Sequence, residues 1–219
     1  MRLGTIGSEA SPLAVIDGFL PDPEAKRERA SGLDWQVRGN YYPGPRAEVD
    51  PAYAAQLGRA LRQILPQVFG PIRSAQVLRC YYSLATTRSE QLTLPQRIPH
   101  VDSYDPSQIA LVHYLCPEQF GGTAFYRYSA TGFETINEVR SAPYLQSLDA
   151  DFARHGQPPA AYIGGDASGF ERIGLCPAAF NRAVLFPGNL LHCADLAGVD
   201  LPCAPLAGRL TVAAFIRLN

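Results

Sequence analysis

Long apolar runs are missing from this sequence. No window approaches the roughly 20 consecutive apolar residues that a membrane-spanning helix needs. The opening MRLGTIGSEASPLAVIDGF has no basic stretch followed by a continuous apolar core, so it does not read as a signal peptide. An excess of one charge is missing as well. Lys and Arg number 19 against 20 Asp and Glu, a formal net charge of −1, and this supplies no broad basic surface for nucleic acid or an anionic membrane. Paired cysteine motifs are also lacking. Cys80, Cys116, Cys176, Cys193 and Cys203 are odd in number and scattered, with no C-x-x-C among them. That argues against a disulfide framework or a zinc knuckle and for reduced thiols in a cytoplasm. Repeats and low-complexity tracts are not visible.

What is present suits one folded domain over residues 1–219. The chain is 47% hydrophobic and 18% charged, and 219 residues bury a sizeable core. Nineteen prolines and nineteen glycines indicate many turns and a strand-rich chain. Residues 1–74 read as a helical lead-in. Within it LAVIDGFL (13–20) is a short strand, and Asp22 and Pro23 cap and open a helix that ends near Gly32. The loop 40–46, Asn40-Tyr41-Tyr42-Pro43-Gly44-Pro45-Arg46, reads by default as a packed surface loop, with an approach to a pocket as the alternative. A second helix spans PAYAAQLGRALRQILPQVF, with Tyr53, Leu57, Leu61, Ile64 and Leu65 at helical spacing.

From Ala75 onward β-branched and aromatic residues dominate, and strands are expected at 75–84, 109–115, 121–128, 181–187 and 208–218. A further strand begins at Leu190-Leu191-His192. Residues 133–180 form a less regular insert with a helix from Pro143 to Arg154, expected to cover a substrate. Two leading helices and at least six short strands suit a mainly β fold: a jelly-roll barrel with N-terminal helices packed on one sheet.

The chemistry centres on Pro99-His100-Val101-Asp102. A His and an Asp two apart on an extended segment point to the same face. One imidazole and one carboxylate then need a third ligand to complete the 2-His-1-carboxylate set that holds non-haem Fe(II) with open positions. His192, after the strand and turn FPGNLL, is placed to supply it. Arg209 heads the last strand, where alternation puts it on one face with Thr211, Ala213 and Phe215. A guanidinium aimed into a pocket there suits a carboxylate held by two parallel hydrogen bonds.

HVD, YLCPEQFGGTAFYRY, RAVLFPGNLLH and GRLTVAAFI, in that order, resemble the motif series of the 2-oxoglutarate- and Fe(II)-dependent oxygenases. The lead-in AVIDGFLPDPEAKRERA resembles that of prolyl-hydroxylase-like members. The resemblance implies a double-stranded β-helix, with Fe(II) on His100, Asp102 and His192. It further implies Arg209 on the distal carboxylate of 2-oxoglutarate, helped by Thr211 and by a tyrosine from the strand before H-x-D. Tyr82 is the best match for that tyrosine, with Tyr81 the alternative. Halogenating relatives replace the carboxylate by Ala or Gly, whereas this chain keeps Asp102. The implied reaction is hydroxylation, or another outcome of C–H abstraction such as desaturation, on a small-molecule or amino-acid-like substrate. O2 is consumed, and succinate and CO2 are released.

Two other readings stay open: a cupin-like metal enzyme that does not use 2-oxoglutarate, and a non-catalytic jelly-roll binding protein. Several side chains have plainer roles. His113, in an apolar strand, reads as a satisfied core histidine, and His155 as exposed. Cys193 reads as a packing residue, and Arg127 and Arg182 read by default as solvated strand ends, with contact to an acidic substrate as the alternative. Tyr104, Tyr126 and Tyr128 fit core packing as well as a pocket lining.

Overall fold

The computed structural model describes every residue except Asn40 and Ser168. In chain order the strands are β1 (Arg2–Ile6), β2 (Ser11–Asp17), β3 (Gln36–Val37), β4 (Pro45–Glu48), β5 (Ala75–Ala85), β6 (Gln108–Tyr114), β7 (Gly122–Tyr128), β8 (Phe170–Pro177), β9 (Arg182–Pro187), β10 (His192–Asp195) and β11 (Arg209–Leu218). The helices are α1 (Pro23–Ala30), α2 (Pro51–Phe69) and α3 (Glu138–His155). Eight strands form the larger sheet in the order β1-β2-β9-β6-β11-β5-β4-β3, and three form the smaller, β10-β7-β8. All paired strands in both sheets run antiparallel.

Helix α2 forms where the sequence expects it. The Asp50 carboxylate accepts the Tyr53 N–H at 2.9 Å, and Pro51 opens the first turn, so donors that the helix cannot use itself are satisfied or removed. Tyr53, Leu57, Leu61 and Leu65 are all buried against Leu84, Leu111, Leu185 and Val212 of the larger sheet. Each such leucine contributes roughly 1.5–3 kcal/mol by leaving water. Helix α1 differs from expectation at its start. Asp22 adopts a left-handed backbone (φ 50°) and makes no side-chain cap bond; Pro23 alone sets the first turn.

Strands β5, β6, β7, β9 and β11 lie within a residue or two of their expected limits. The short strands β3 and β4, and the edge strands β1 and β8, carry no clear alternation in sequence and are not expected from it. The insert 133–180 is mostly framework. Tyr144 and Leu148 of α3 pack with Tyr126 and Tyr128 on one face of the smaller sheet, and β8 pairs with β7. Helix α3 begins earlier than Pro143 because the Asn137 side chain caps it, accepting the Arg140 N–H at 3.0 Å. Phe125 and Cys176 meet Ala110, Tyr114, Val184 and Phe186 in a third apolar cluster that joins the two sheets. No helix is long and apolar enough to cross a membrane.

Candidate metal centre

A cavity of about 280 Å³ opens where the walls narrow to small side chains, Ala110, Thr123, Thr211 and Ala213 among them. His100, Asp102 and His192 converge on it from two separate segments. Their ligand atoms all lie within 4.8 Å of one another. His192 Nε2 stands 3.4 Å from Asp102 Oδ2, and His100 Nε2 stands 3.9 Å from Asp102 Oδ1. The imidazole rings of His100 and His192 have centroids 4.6 Å apart.

The local backbone explains the convergence. His192 opens β10 at the inner sheet position opposite Phe125. His100 belongs to no full strand and is held by a single antiparallel bridge to His192. The Asp102 N–H donates to the Gly188 carbonyl at 2.7 Å, which ties H-x-D to the turn that precedes β10. The same-face expectation for His100 and Asp102 therefore holds without a regular strand.

Protonation favours metal binding. His192 Nδ1 lies 2.8 Å from the Leu190 carbonyl. A carbonyl can only accept, so Nδ1 carries a proton, and Nε2 is the ring nitrogen left to face Asp102 and a metal. Burial, with His192 and Arg46 nearby, pushes the His100 pKa well below the ordinary imidazole value; His100 is neutral at pH 7 and has a lone pair to give. Burial also raises the Asp102 pKa, against the opposing pull of His192, Arg46 and Arg79.

Arg209 is buried, and the chain organises it without any acidic partner among the described residues. Its Nε donates to the Phe120 carbonyl at 3.1 Å and its Nη2 to the Gly122 carbonyl at 3.0 Å. The remaining guanidinium protons are left to the cavity, whose wall Arg209 helps to form. Gly121 makes this cradle possible. Its φ of +80° is a left-handed conformation, and a Cβ there would sit 1.9 Å from the Asp195 carbonyl oxygen. Thr211 lines the same wall, its hydroxyl donating to the Ser83 carbonyl at 3.4 Å.

Tyr82 is placed elsewhere. Alternation on β5 turns it to the helix-covered face, fully buried with its ring centroid 5.7 Å from that of Tyr53. It does not line the cavity, and the expectation that it assists at a bound carboxylate is corrected. Tyr81 has the opposite facing, and its ring packs against the Arg38 and Arg46 guanidinium groups at 5.5 and 5.9 Å. The tyrosine that does reach the site is Tyr42. Its buried hydroxyl makes no hydrogen bond of good geometry and faces Thr211, with Arg209 and Arg46 nearby. Burial raises its pKa while the two arginines oppose the rise.

The loop 40–46 is thus a wall of the cavity. Tyr41, Tyr42, Pro43 and Arg46 all line it, and Tyr41 stacks on His100 at 5.8 Å; Asn40 lies outside the described residues. Among the described residues of the insert only Tyr162 and Ile163 reach the cavity, the former anchored by its hydroxyl donating to the Thr87 carbonyl at 2.7 Å. His113 is a satisfied core residue, 2.9 Å from the Tyr53 hydroxyl and 3.0 Å from Asn181 Oδ1. Arg127 pairs with Glu134 and Glu171, and Arg182 with Asp17. Tyr126 and Tyr128 are buried in the cluster under α3, and Tyr104 packs at its margin. Cys193 joins that cluster and also borders the cavity.

Solved structures share this architecture. HygX from Streptomyces hygroscopicus, crystallised with nickel and 2-oxoglutarate bound, superposes with a TM-score of 0.56 at 12% identity, over 95% of this chain and 84% of HygX. SnoN, a non-haem α-ketoglutarate-dependent epimerase from nogalamycin biosynthesis, superposes with a TM-score of 0.55 at 14% identity, over 94% of this chain and 78% of SnoN. No curated protein matches the chain by sequence. The chain shares the fold of these two proteins, and H-x-D and a distal His come together in it as a candidate metal triad. A family model matches residues 1–216, and the chain belongs to that family, DUF6445, a family of unknown function.

Proposed function

We propose that this protein is a non-haem Fe(II)- and 2-oxoglutarate-dependent dioxygenase that hydroxylates a small-molecule or amino-acid-like substrate. The observation that carries this reading is the meeting of His100, Asp102 and His192 within 4.8 Å, beside a buried arginine that has no anionic partner of its own among the described residues. The donor set fits the metal: two imidazoles and one carboxylate suit Fe(II) and leave open positions. When bound, Fe(II) and 2-oxoglutarate would activate O2, the oxidant: 2-oxoglutarate gives up two electrons on becoming succinate and CO2, and the substrate C–H bond gives the other two.

The rest falls to the chain's own residues. His100, Asp102 and His192 hold the metal on one side. Arg209, pre-aimed by the Phe120 and Gly122 carbonyls, grips the distal carboxylate of the cosubstrate with charge-assisted hydrogen bonds. The free Tyr42 hydroxyl donates to the same group, and the Thr211 hydroxyl joins it by turning from the Ser83 carbonyl, to which its bond is long at 3.4 Å. The apolar and aromatic walls, Val112, Ile163 and Phe215 among them, exclude water from the reacting centre. Five free thiols favour a reducing compartment, in keeping with a cytoplasmic enzyme.

The test is an anaerobic titration of the metal-free protein with Fe(II) and then 2-oxoglutarate, read by the visible charge-transfer band of the chelated pair. The band is expected, and is lost in Asp102→Ala and weakened in Arg209→Ala. Fe(II) binding without a band would transfer the site to a metal enzyme that does not use 2-oxoglutarate. Absence of both would leave the fold as a scaffold.

A further inference from the structure

Arg209 is not the only cation on the cavity wall. Arg38, Arg46 and Arg79 line it too, and Asp102 is its single carboxylate among the described residues. Arg38 is already paired with Glu48 at 2.6 Å. Arg46 and Arg79 have no acidic partner among the described residues. Each is laid on an aromatic ring instead: the Arg46 guanidinium 4.7 Å over Tyr42, the Arg79 guanidinium 5.0 Å over Phe215. Stacking fixes their direction and leaves their in-plane N–H donors unused.

Arg46 carries the stronger signal. It is half-buried on β4, and its Nε is fully enclosed with no hydrogen-bond partner. A donor on a charged group left unpaired in this way is costly, and such sites are kept where a ligand completes them. The two arginines interact electrostatically with each other and with Asp102. They therefore share the metal side of the cavity, while Tyr42 separates Arg46 from Arg209. On the oxygenase reading, metal binding takes up the charge of Asp102, the one carboxylate among the described lining residues.

We propose that Arg46 and Arg79 form a second anion-binding subsite for a carboxylate or phosphate of the substrate, which makes the substrate a small organic acid rather than a neutral or cationic molecule. The assignment of the other anion, 2-oxoglutarate, to Arg209 rests on the oxygenase reading; the arginine pair itself does not. Two paired arginines grip a planar carboxylate or a phosphate with forked donors. They also raise the local concentration of acids in a chain whose overall charge attracts none.

The experiment is a calorimetric titration of the protein loaded with Ni(II) and 2-oxoglutarate, using benzoate, its uncharged amide benzamide, and inorganic phosphate as probes. Benzoate or phosphate is expected to bind one per chain, with benzamide at least tenfold weaker. Arg79→Gln, at an exposed position, should weaken the anion at least tenfold, as should Arg46→Gln. Both variants should change the Kd of 2-oxoglutarate less than threefold, and Arg209→Gln should do the reverse.

Equal binding of benzamide and benzoate, or anion affinity untouched in both variants, overturns the subsite. So does a loss of 2-oxoglutarate affinity in Arg46→Gln and Arg79→Gln as large as in Arg209→Gln, since the pair would then serve the cosubstrate. If the wild type binds neither Ni(II) nor 2-oxoglutarate, the oxygenase reading alone falls. The subsite is then read in metal-free Arg209→Gln protein: benzoate binding that disappears on adding Arg79→Gln upholds it, and no binding overturns it.

Discussion

His100 and His192 are tied to each other by two backbone hydrogen bonds, the N–H of each donating to the carbonyl of the other at 2.9 Å. Two imidazoles from distant parts of the chain are thereby set side by side by the backbone itself. The pair does not depend on a metal to bring it together, and the third ligand is fixed through Gly188 in the same turn. Preorganisation of this kind spares a metal the entropy of ordering its ligands.

Asp102→Ala should therefore separate metal affinity from folding. The backbone bonds that hold the loop remain, and a carboxylate that burial disfavours is removed. The Tm of the metal-free protein is expected to stay within about 4 °C of wild type, the shift that roughly 1 kcal/mol produces in a chain of this size. Ni(II) affinity should fall at least about 100-fold, beyond the 10–100-fold typical of losing a supporting partner. A collapse of Tm in the metal-free variant would show that the carboxylate holds the loop.

A pair of tyrosine variants distinguishes the two candidate positions. Tyr42→Phe removes a buried hydroxyl that has no hydrogen-bond partner and faces Thr211; stability should hold or rise slightly while the Kd of 2-oxoglutarate increases about tenfold, the equivalent of about 1.4 kcal/mol. Tyr82→Phe removes a hydroxyl in the core beneath α2 and should leave that Kd unchanged. Equilibrium dialysis with the Ni(II) protein measures both.

Gly121→Ala should damage the cosubstrate grip from a distance. The left-handed backbone at φ +80° and the Asp195 carbonyl oxygen 1.9 Å from a would-be Cβ together oppose any side chain. Strain of this kind costs about 1–3 kcal/mol, visible in urea unfolding. Because the flanking carbonyls of Phe120 and Gly122 aim Arg209, 2-oxoglutarate affinity should fall as well. A destabilised variant with unchanged affinity would detach the cradle from the site.

His113 predicts a pH dependence of stability. Asn181 Oδ1 takes the Nε2 proton and Nδ1 accepts from Tyr53; burial holds its pKa down to about 4. The unfolded chain, near the ordinary 6.5, binds the proton more readily. Its contribution is complete above about pH 6.5 and is lost as pH falls toward 4, by roughly 3 kcal/mol in total. Unfolding free energies at pH 7 and pH 4.5 should differ less in His113→Gln than in wild type. An equal difference in the two proteins would place the acid sensitivity elsewhere.

Much of the framework was legible because it follows from periodicity. The α2 stripe and the alternation on β11, with Arg209 and Thr211 on one face and Leu210 and Val212 on the other, need only local spacing. The Tyr81–Tyr82 pair shows the limit. Adjacent residues on a strand face opposite ways, but which of the two faces the cavity is set by pairing with β11, where Ser83 meets Thr211 and Tyr82 meets Val212. The loop 40–46 shows it more sharply. Its aromatic residues look like any packed loop until β4 pairs with β5 and brings Arg46 beside Ser83.

By itself, then, the sequence determined the mainly β class of fold, the positions of α2, β5, β6, β7, β9 and β11, and the candidate set His100, Asp102, His192 and Arg209. Their residue types and order carry that information without reference to distance. Only the tertiary structure decided that Tyr42 stands where Tyr82 was expected, that the insert 133–180 is mainly framework, and that Arg46 and Arg79 face the metal side of one cavity. Those outcomes depend on register and on contacts between residues far apart in the chain, and no local pattern encodes them.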